Sequence, residues 1–124
     1  MPHHEALDIV RRSHLALLLA PGLPYQVPAK VYDYLGAGTR ILAIAEEGGT
    51  SDLVTQSACG DAFAPADVNG IADFIHAEMI GRPSTGEGHR AFLARFDVQR
   101  ISEELANEFS RVAAPSADAA RCAL

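Results

Sequence analysis

Cysteine is scarce in this chain, and its scarcity excludes two kinds of small domain. Among the 124 residues there are two cysteines, Cys59 and Cys122, which lie far apart and form no C-x-x-C pair. Neither a disulfide framework nor a thiolate zinc site is therefore expected. Free thiols of this kind are typical of a reducing compartment, so the sequence predicts a cytoplasmic protein.

The chain also has few basic residues and no long apolar run. Basic residues number 10 and acidic residues 16, a net charge of −6 that argues against general nucleic-acid binding. The longest apolar run, residues 15–20, is too short to span a bilayer. The first eight residues, MPHHEALD, have neither the positive start nor the apolar core of a secretion signal.

The remaining composition is that of an ordinary globular protein. Hydrophobic residues make up 48% of the chain and charged residues 21%, which predicts a packed core rather than disorder. A length of 124 residues allows one domain at most. We assign residues 1–80 to a partial Rossmann-like domain, 81–112 to C-terminal helices and 113–124 to a disordered tail of small residues.

Short apolar segments predict three parallel strands, each followed by a helix. The strands are predicted over 14–20, 41–45 and 60–64, and the first two are apolar on both faces, as in strands covered from both sides. Six helices are predicted, over 4–12, over 29–35, from a cap at Thr50 or Ser51 to 57, from a cap at Asp67 to about 80, over 90–96 and over 98–112. This alternation predicts the second half of a doubly wound α/β sheet, in which the strands would be the fourth, fifth and sixth.

The chain is organised around residues 21–45, PGLPYQVPAKVYDYLGAGTRILAIA. Pro28 suits the first turn of a helix, where its missing N–H is not needed, and Gly36 and Gly38 are predicted to end that helix. A loop that leads into a helix presents free backbone N–H groups at the positive end of the helix dipole. This segment therefore predicts a binding site for a phosphate or another anion.

Residues 26–45, QVPAKVYDYLGAGTRILAIA, resemble the donor-site segment of group 1, family 4-like glycosyltransferases of the GT-B fold. In that family a Pro-x-Lys, an acidic residue, a Tyr-Leu or Tyr-Met pair and a Gly precede the strand. The flanking stretches 3–20 and 52–75 resemble the family's preceding helix and strand and its following stretch. The resemblance implies half of a Rossmann-like GT-B C-terminal domain, with about three parallel strands, flanking helices and a helical C-terminus. It implies a retaining, metal-independent enzyme that transfers a sugar from a nucleoside-diphosphate sugar to a sugar or lipid-linked acceptor.

The resemblance assigns binding roles but no catalytic residue. Asp33 would hydrogen-bond the ribose, Lys30 and the amides near it would hold the diphosphate, and the loop 21–26 would hold the sugar. The donor-binding residues implied in this way are Asp33, Lys30, Pro28, Ala29, Gln26 and Gly22. Without the resemblance, Lys30 and Asp33 would be interpreted as a surface ion pair on one helix face.

Some residues depart from the family pattern. Asp33 and Tyr25 stand where many members carry two glutamates, and Arg40 replaces the proline before the strand. The charge of Arg40 would either help to hold phosphate or be solvated. No Asp-x-Asp pair occurs in the chain, which fits an enzyme that needs no metal.

Other candidate residues have simpler interpretations. His3 and His4 are adjacent, so on a helix they would point about 100° apart and are interpreted as solvated rather than as metal ligands. Gly48 and Gly49 follow a strand and either let backbone amides approach a phosphate or form a plain turn. Cys59 is interpreted as a small buried residue.

The resemblance also predicts that the chain needs a further domain or a partner chain for activity. The family's acceptor domain and the first strands of its donor domain have no counterpart here, so we expect a truncated fragment that is inactive without the N-terminal domain or a partner chain. The complete enzyme is expected to make a peripheral membrane contact. The alternative is a non-catalytic remnant or interaction module that pairs through the strand 14–20, which would lie at a sheet edge. A receiver-like or flavodoxin-like domain is disfavoured, because the strand ends read Ala20-Pro21 and Ala45-Glu46 rather than an acidic cluster.

Overall fold

The fold is described from a computed structural model, for residues 1–81 and 87–114. These residues form α1 (His3–Arg12), β1 (Ala16–Leu19), α2 (Lys30–Ala37), β2 (Ile41–Ile44), α3 (Gly49–Gln56), β3 (Gly60–Phe63), α4 (Val68–Ile80), α5 (Glu87–Leu93), a 3₁₀ turn (Ala94–Phe96) and α6 (Val98–Ala113). The predicted disordered tail lies almost wholly outside the described residues. None of the helices among them is long and apolar enough to cross a membrane.

The three strands form one open parallel sheet in the order β1-β2-β3. Ala16 pairs with Ile41, and Ile41 in turn pairs with Gly60, so the strands start level with one another. This confirms the predicted α/β class with three parallel strands joined by helices. The strands are shorter than predicted, because the ladder of hydrogen bonds covers only four residues of each.

The core lies mainly on one face of the sheet. Ala16 and Leu18 point to this face from β1, and they are buried together with Val31 and Leu35 of α2 and Val54 of α3. On β2, Ile41, Leu42 and Ala43 are buried in succession, so this strand is covered on both faces as predicted.

The prediction that the first strand is covered on both faces is wrong for the described residues. Leu17 and Leu19 of β1 are 52% and 63% exposed. The strand lies at the edge of the sheet, and the described part of the chain places no further strand beside it. An apolar sequence shows that a strand can be covered, but the neighbours that cover it are set by the rest of the structure.

The ends of α2 and α3 differ from the predicted ones. The helix α2 continues through Gly36 and ends at Gly38, whose φ of +71° is the left-handed conformation typical of a C-terminal cap. The helix α3 is capped at Gly48 rather than at Thr50 or Ser51. The hydroxyl of Ser51 nevertheless accepts a hydrogen bond from the Gly48 amide at 2.9 Å, so it serves the same helix end from one turn further on.

A buried histidine fastens α5 to the two helices that cover the sheet. His89 is 4% exposed, and its Nε2 and Nδ1 atoms lie 3.1 Å from the carbonyl oxygen of Leu35 and 3.3 Å from that of Ser57. Both carbonyls belong to the C-terminal ends of helices, and that of Leu35 also accepts from the amide of the cap residue Gly38 at 3.0 Å. Cys59 is fully buried beside this ring, as predicted, with its Sγ 3.7 Å from Nε2.

The chain divides into two compact units, Met1–Leu93 and Ala94–Leu124. The first holds the sheet and α1 to α5. In the second, α6 begins at Asp97, whose carboxylate accepts hydrogen bonds from the amides of Gln99 and Arg100 at 2.8 and 3.3 Å. The break near Asp97 is thus confirmed, whereas the boundary placed at residue 80 stays a prediction.

Candidate functional site

The candidate site lies where the chain leaves the carboxyl ends of β1 and β2. Ligands of open parallel sheets bind at this edge, because the loops and helix starts that follow the strands converge there. Two loops meet at this edge, residues 20–29 before α2 and residues 45–48 before α3. We call them the first and the second loop.

Three hydrogen bonds join the first loop to the second loop and α3. The Gly22 amide donates to Oε2 of Glu46 at 2.8 Å, and the Gly49 amide donates to the carbonyl of Pro24 at 3.1 Å. The hydroxyl of Thr50, which is 2% exposed, donates to the carbonyl of Gln26 at 3.3 Å. The first loop is therefore held in place by residues more than 20 positions away in the sequence.

Gly48 and Gly49 form a turn whose amides are already in use. The Gly48 amide is bonded to Ser51 and the Gly49 amide to Pro24. A Cβ at position 48 would lie 2.9 Å from the Cα of Pro24, closer than real side chains come, so glycine is required here by the approach of the first loop. This geometry favours the plain turn over direct phosphate binding by these two residues.

The start of α2 has open backbone donors. Ala29 is the N-terminal cap and its methyl group cannot accept a hydrogen bond, while the amides of Val31 and Tyr32 donate to the carbonyls of Pro28 and Ala29 at 3.1 Å each. The amides of Ala29 and Lys30 have no acceptor among the described residues. Together with the exposed Lys30 side chain, they form a concentration of positive potential at one helix end.

Asp33 lies about one turn after the start of α2, and its carboxylate is partly exposed to solvent. Its side chain is 43% exposed, and its Oδ1 atom lies 3.8 Å from Nε2 of His3 on α1. The described residues show no ion pair between Lys30 and Asp33, so the interpretation of the two as a surface pair is not supported. His3 is itself largely exposed, and such a contact in water holds the carboxylate only weakly.

The six residues predicted to bind a donor lie within one stretch of the chain, residues 22–33. Four of them are exposed and two are partly buried. The exposed four are Gly22, Gln26, Ala29 and Lys30, and the partly buried two are Pro28 and Asp33. Thr50 was predicted only as a possible helix cap and Glu46 was named only at a strand end. Neither was predicted to hold these residues through the hydrogen bonds to Gly22 and Gln26. The one sequence feature that could have indicated a role for Glu46 at the site is its position directly after an apolar strand.

Arg40 does not belong to the site. It precedes β2, so it lies at the amino end of the sheet, opposite the two loops. Its Nη2 atom is 2.6 Å from Oε1 of Glu78, its Nη1 donates to the carbonyl of Ala58 at 3.2 Å, and its guanidinium lies 5.6 Å from the ring centre of Phe74. Both predictions for Arg40, phosphate binding and solvation, are therefore wrong, because α4 brings a carboxylate to it from far along the chain.

Neither a metal centre nor a known relative adds to this description. Within the two described ranges, no three histidine, cysteine, aspartate or glutamate side chains converge as metal ligands do. Comparison with protein-family models, with curated proteins and with solved structures finds no match to the chain. A functional assignment therefore rests on the residues and the geometry given above.

Proposed function

We propose that this chain is the donor-binding part of a retaining, nucleotide-sugar-dependent glycosyltransferase of the GT-B type. One observation carries the proposal: within one helical turn, at the carboxyl edge of a parallel sheet, α2 presents two open amides, Lys30 and a half-exposed Asp33. The same stretch of sequence is the one that resembles the family's donor site. An anion-binding helix start followed by a carboxylate suits a nucleoside diphosphate, whose phosphates adjoin its ribose.

In this proposal the diphosphate lies against the start of α2. The amides of Ala29 and Lys30 donate to its oxygens, and the ammonium group of Lys30 adds a charge that strengthens those bonds. Asp33 accepts from the ribose hydroxyls. When the bond to the sugar breaks, negative charge grows on the leaving diphosphate, and preorganised donors at that position stabilise it without having to reorient.

The sugar is placed beside the first loop. Oxygen Oε2 of Glu46 accepts from the Gly22 amide, and this acidic side chain would repel a phosphate but accept hydrogen bonds from sugar hydroxyls. Glu46 and Gly22 therefore suit the uncharged end of the donor, and the start of α2 suits the charged end. Attack by an acceptor hydroxyl requires an acceptor-binding surface beyond the residues described.

Titration of the purified chain with UDP and with GDP, by calorimetry and by melting temperature, tests the proposal. We expect saturable binding of at least one of them, and weaker binding of the corresponding monophosphate because the second phosphate is lost. Asp33→Asn keeps the side-chain shape but removes its charge and is expected to weaken binding about tenfold, equivalent to about 1.4 kcal/mol. The matched control is Asp73→Asn, the same change on the exposed surface of α4. A folded chain that binds neither nucleotide, or one in which the two variants behave alike, would disprove this site.

A second candidate function is that of a non-catalytic interaction module. The observation in its favour is the edge strand β1, whose Leu17 and Leu19 side chains are exposed and whose outer edge pairs with no other strand in the described residues. Edge strands of this kind readily add a strand from another chain. This function would be favoured over the enzyme if the folded chain bound no nucleotide and if charged substitutions at Leu17 and Leu19 reduced its self-association.

A further inference from the structure

The helix α6 carries a stripe of large, exposed apolar side chains. The stripe consists of Val98, Ile101, Leu105, Phe109 and Val112, which are between 45% and 78% exposed. At about 100° per residue these five side chains lie within an arc of about 80°. A helix with one narrow apolar stripe is typical of pairing with another helix rather than of an isolated surface helix.

The spacing of the stripe is symmetric about its middle. From Val98 to Val112 the steps along the chain are three, four, four and three residues, so the pattern is the same in both directions around Leu105. Two such helices that run antiparallel therefore bring Leu105 opposite Leu105 and each valine opposite a valine. A parallel pair would also place each residue opposite its own copy, so the charges beside the stripe decide the orientation.

The charges beside the stripe favour the same arrangement. One border of the stripe carries charges of both signs, and in order they are Asp97, Arg100, Glu104, Glu108 and Arg111. Reversing the second helix brings Asp97 near Arg111 of the second copy and Arg100 near its Glu108. Glu104 of one copy lies near Glu104 and Glu108 of the other. These like charges are partly neutralised within each helix, where the Nε atom of Arg100 lies 3.0 Å from Glu104 and Arg111 pairs with Glu108.

We propose that α6 pairs with α6 of a second copy of this chain, in an antiparallel orientation, to form a homodimer with a two-fold axis at Leu105. An interface that uses the same surface on both copies needs a self-complementary pattern, and both the apolar spacing and the charges of α6 have one. The dimer is independent of the proposed donor site, which lies on other helices.

The first test measures molar mass by light scattering and by sedimentation equilibrium over ~1 µM to ~1 mM of the full chain. We expect a monomer–dimer equilibrium whose dissociation constant rises more than tenfold in Leu105→Glu, which places two charges on the two-fold axis. Asn107→Glu is the matched control, since it adds the same charge on the opposite side of the same helix, and it is expected to leave the equilibrium unchanged. Circular dichroism of both variants establishes that α6 is still helical.

The second test determines the orientation. Val98→Cys and Val112→Cys are made separately in a Cys122→Ser background, where the remaining Cys59 is fully buried. An antiparallel pair predicts that a short bismaleimide joins the two variants to each other when they are mixed, and joins neither variant to itself.

Several results would overturn the proposal. They are a monomer at every concentration, a dimer that survives Leu105→Glu, cross-links of Val98→Cys to itself, and a dimer that is lost in Leu17→Glu instead of Leu105→Glu. The last result would assign self-association to the edge strand β1.

Discussion

The side chain of Arg40 makes three contacts at the amino end of β2, and each is of a different kind. It forms an ion pair with Glu78, a hydrogen bond to the carbonyl of Ala58 and a contact with the face of Phe74. The paired side chains of Arg40 and Glu78 are only 18% and 11% exposed, so solvent screens their attraction little. This pair joins α4 to the start of the central strand.

We expect Arg40→Ala to lower the free energy of unfolding by about 1–3 kcal/mol, because it leaves the carboxylate of Glu78 largely buried and without its partner. Urea unfolding followed by circular dichroism measures the change. The control is Arg11→Ala, whose partner Asp8 lies 3.4 Å away on an exposed helix face, and it should cost less than about 0.5 kcal/mol. Equal changes in the free energy of unfolding would show that the buried pair stabilises the protein no more than the exposed pair does.

Cys59 makes the stability of the chain sensitive to alkaline pH. Burial raises the pKa of its thiol, and the positive charge of Arg40 opposes this in part. The unfolded chain loses this proton near the ordinary pKa of about 8.5, while the folded chain still holds it. Because the folded state then binds more protons than the unfolded state, the free energy of unfolding falls as the pH rises through this window.

Unfolding in urea at a series of pH values from about 7 to about 10 measures this effect. In a Cys122→Ser background, the chain with Cys59 should lose more stability over the alkaline part of the series than the Cys59→Ala variant. Since the alanine also removes buried volume, the difference in slope is the quantity compared, and not the stability at neutral pH. Two parallel curves would mean that the thiol does not titrate differently in the two states.

At the scale of the element, the two glycines of α2 have opposite roles. Gly36 lies inside the helix, where an added Cβ would meet no atom within 4 Å. Gly38 caps the helix in the left-handed region, with a φ of +71°. Glycine inside a helix costs stability through the freedom of the unfolded chain, whereas at a left-handed cap it avoids a steric clash.

Gly36→Ala is therefore expected to stabilise the protein by about 0.5–1 kcal/mol and Gly38→Ala to destabilise it by about 1 kcal/mol. Melting temperatures of the two variants, which differ by the position of a single methyl group, check the prediction. If the melting temperature changed in the same direction in both variants, the result would contradict a helix end at Gly38.

Most elements were predictable because their signals are local. The strands 41–45 and 60–64 and the cap at Asp67 follow from apolar runs, flanking glycines and a side chain that reaches its own helix, and Asp67 accepts from the Gly70 amide at 3.0 Å. The cap of α3 was misplaced by two or three residues, because Pro24 comes close to Gly48. That approach involves residues 24 positions apart, and no local pattern reports it.

At the scale of the whole molecule, the apolar edge of the sheet should govern solubility. Leu17 and Leu19 are exposed side by side on β1, next to an unpaired strand edge. Lysine at both positions is expected to reduce aggregation, because charges on an edge strand oppose the addition of further strands. The first compact unit should keep its fold, since neither side chain is buried.

Light scattering during incubation at increasing concentration measures this effect. Val68→Lys, which replaces a similarly exposed apolar residue at the start of α4, is the control for added charge as such. If Val68→Lys reduced aggregation as much as the double substitution, net charge rather than the strand edge would be responsible.

The sequence by itself determined the α/β class and the parallel strands, because the strand segments and the helices that connect them each have local signals. It also indicated the candidate site, whose predicted residues lie within residues 22–33. Gly22, Gln26, Lys30 and Asp33 belong to one loop and one helix turn, and their proximity required no knowledge of the fold. The tertiary structure alone decided that Glu46 holds Gly22, that Glu78 neutralises Arg40 and that Leu35 meets His89. These partners lie 24, 38 and 54 residues apart, and side chains so distant meet only when the packing of helices on the sheet brings them together.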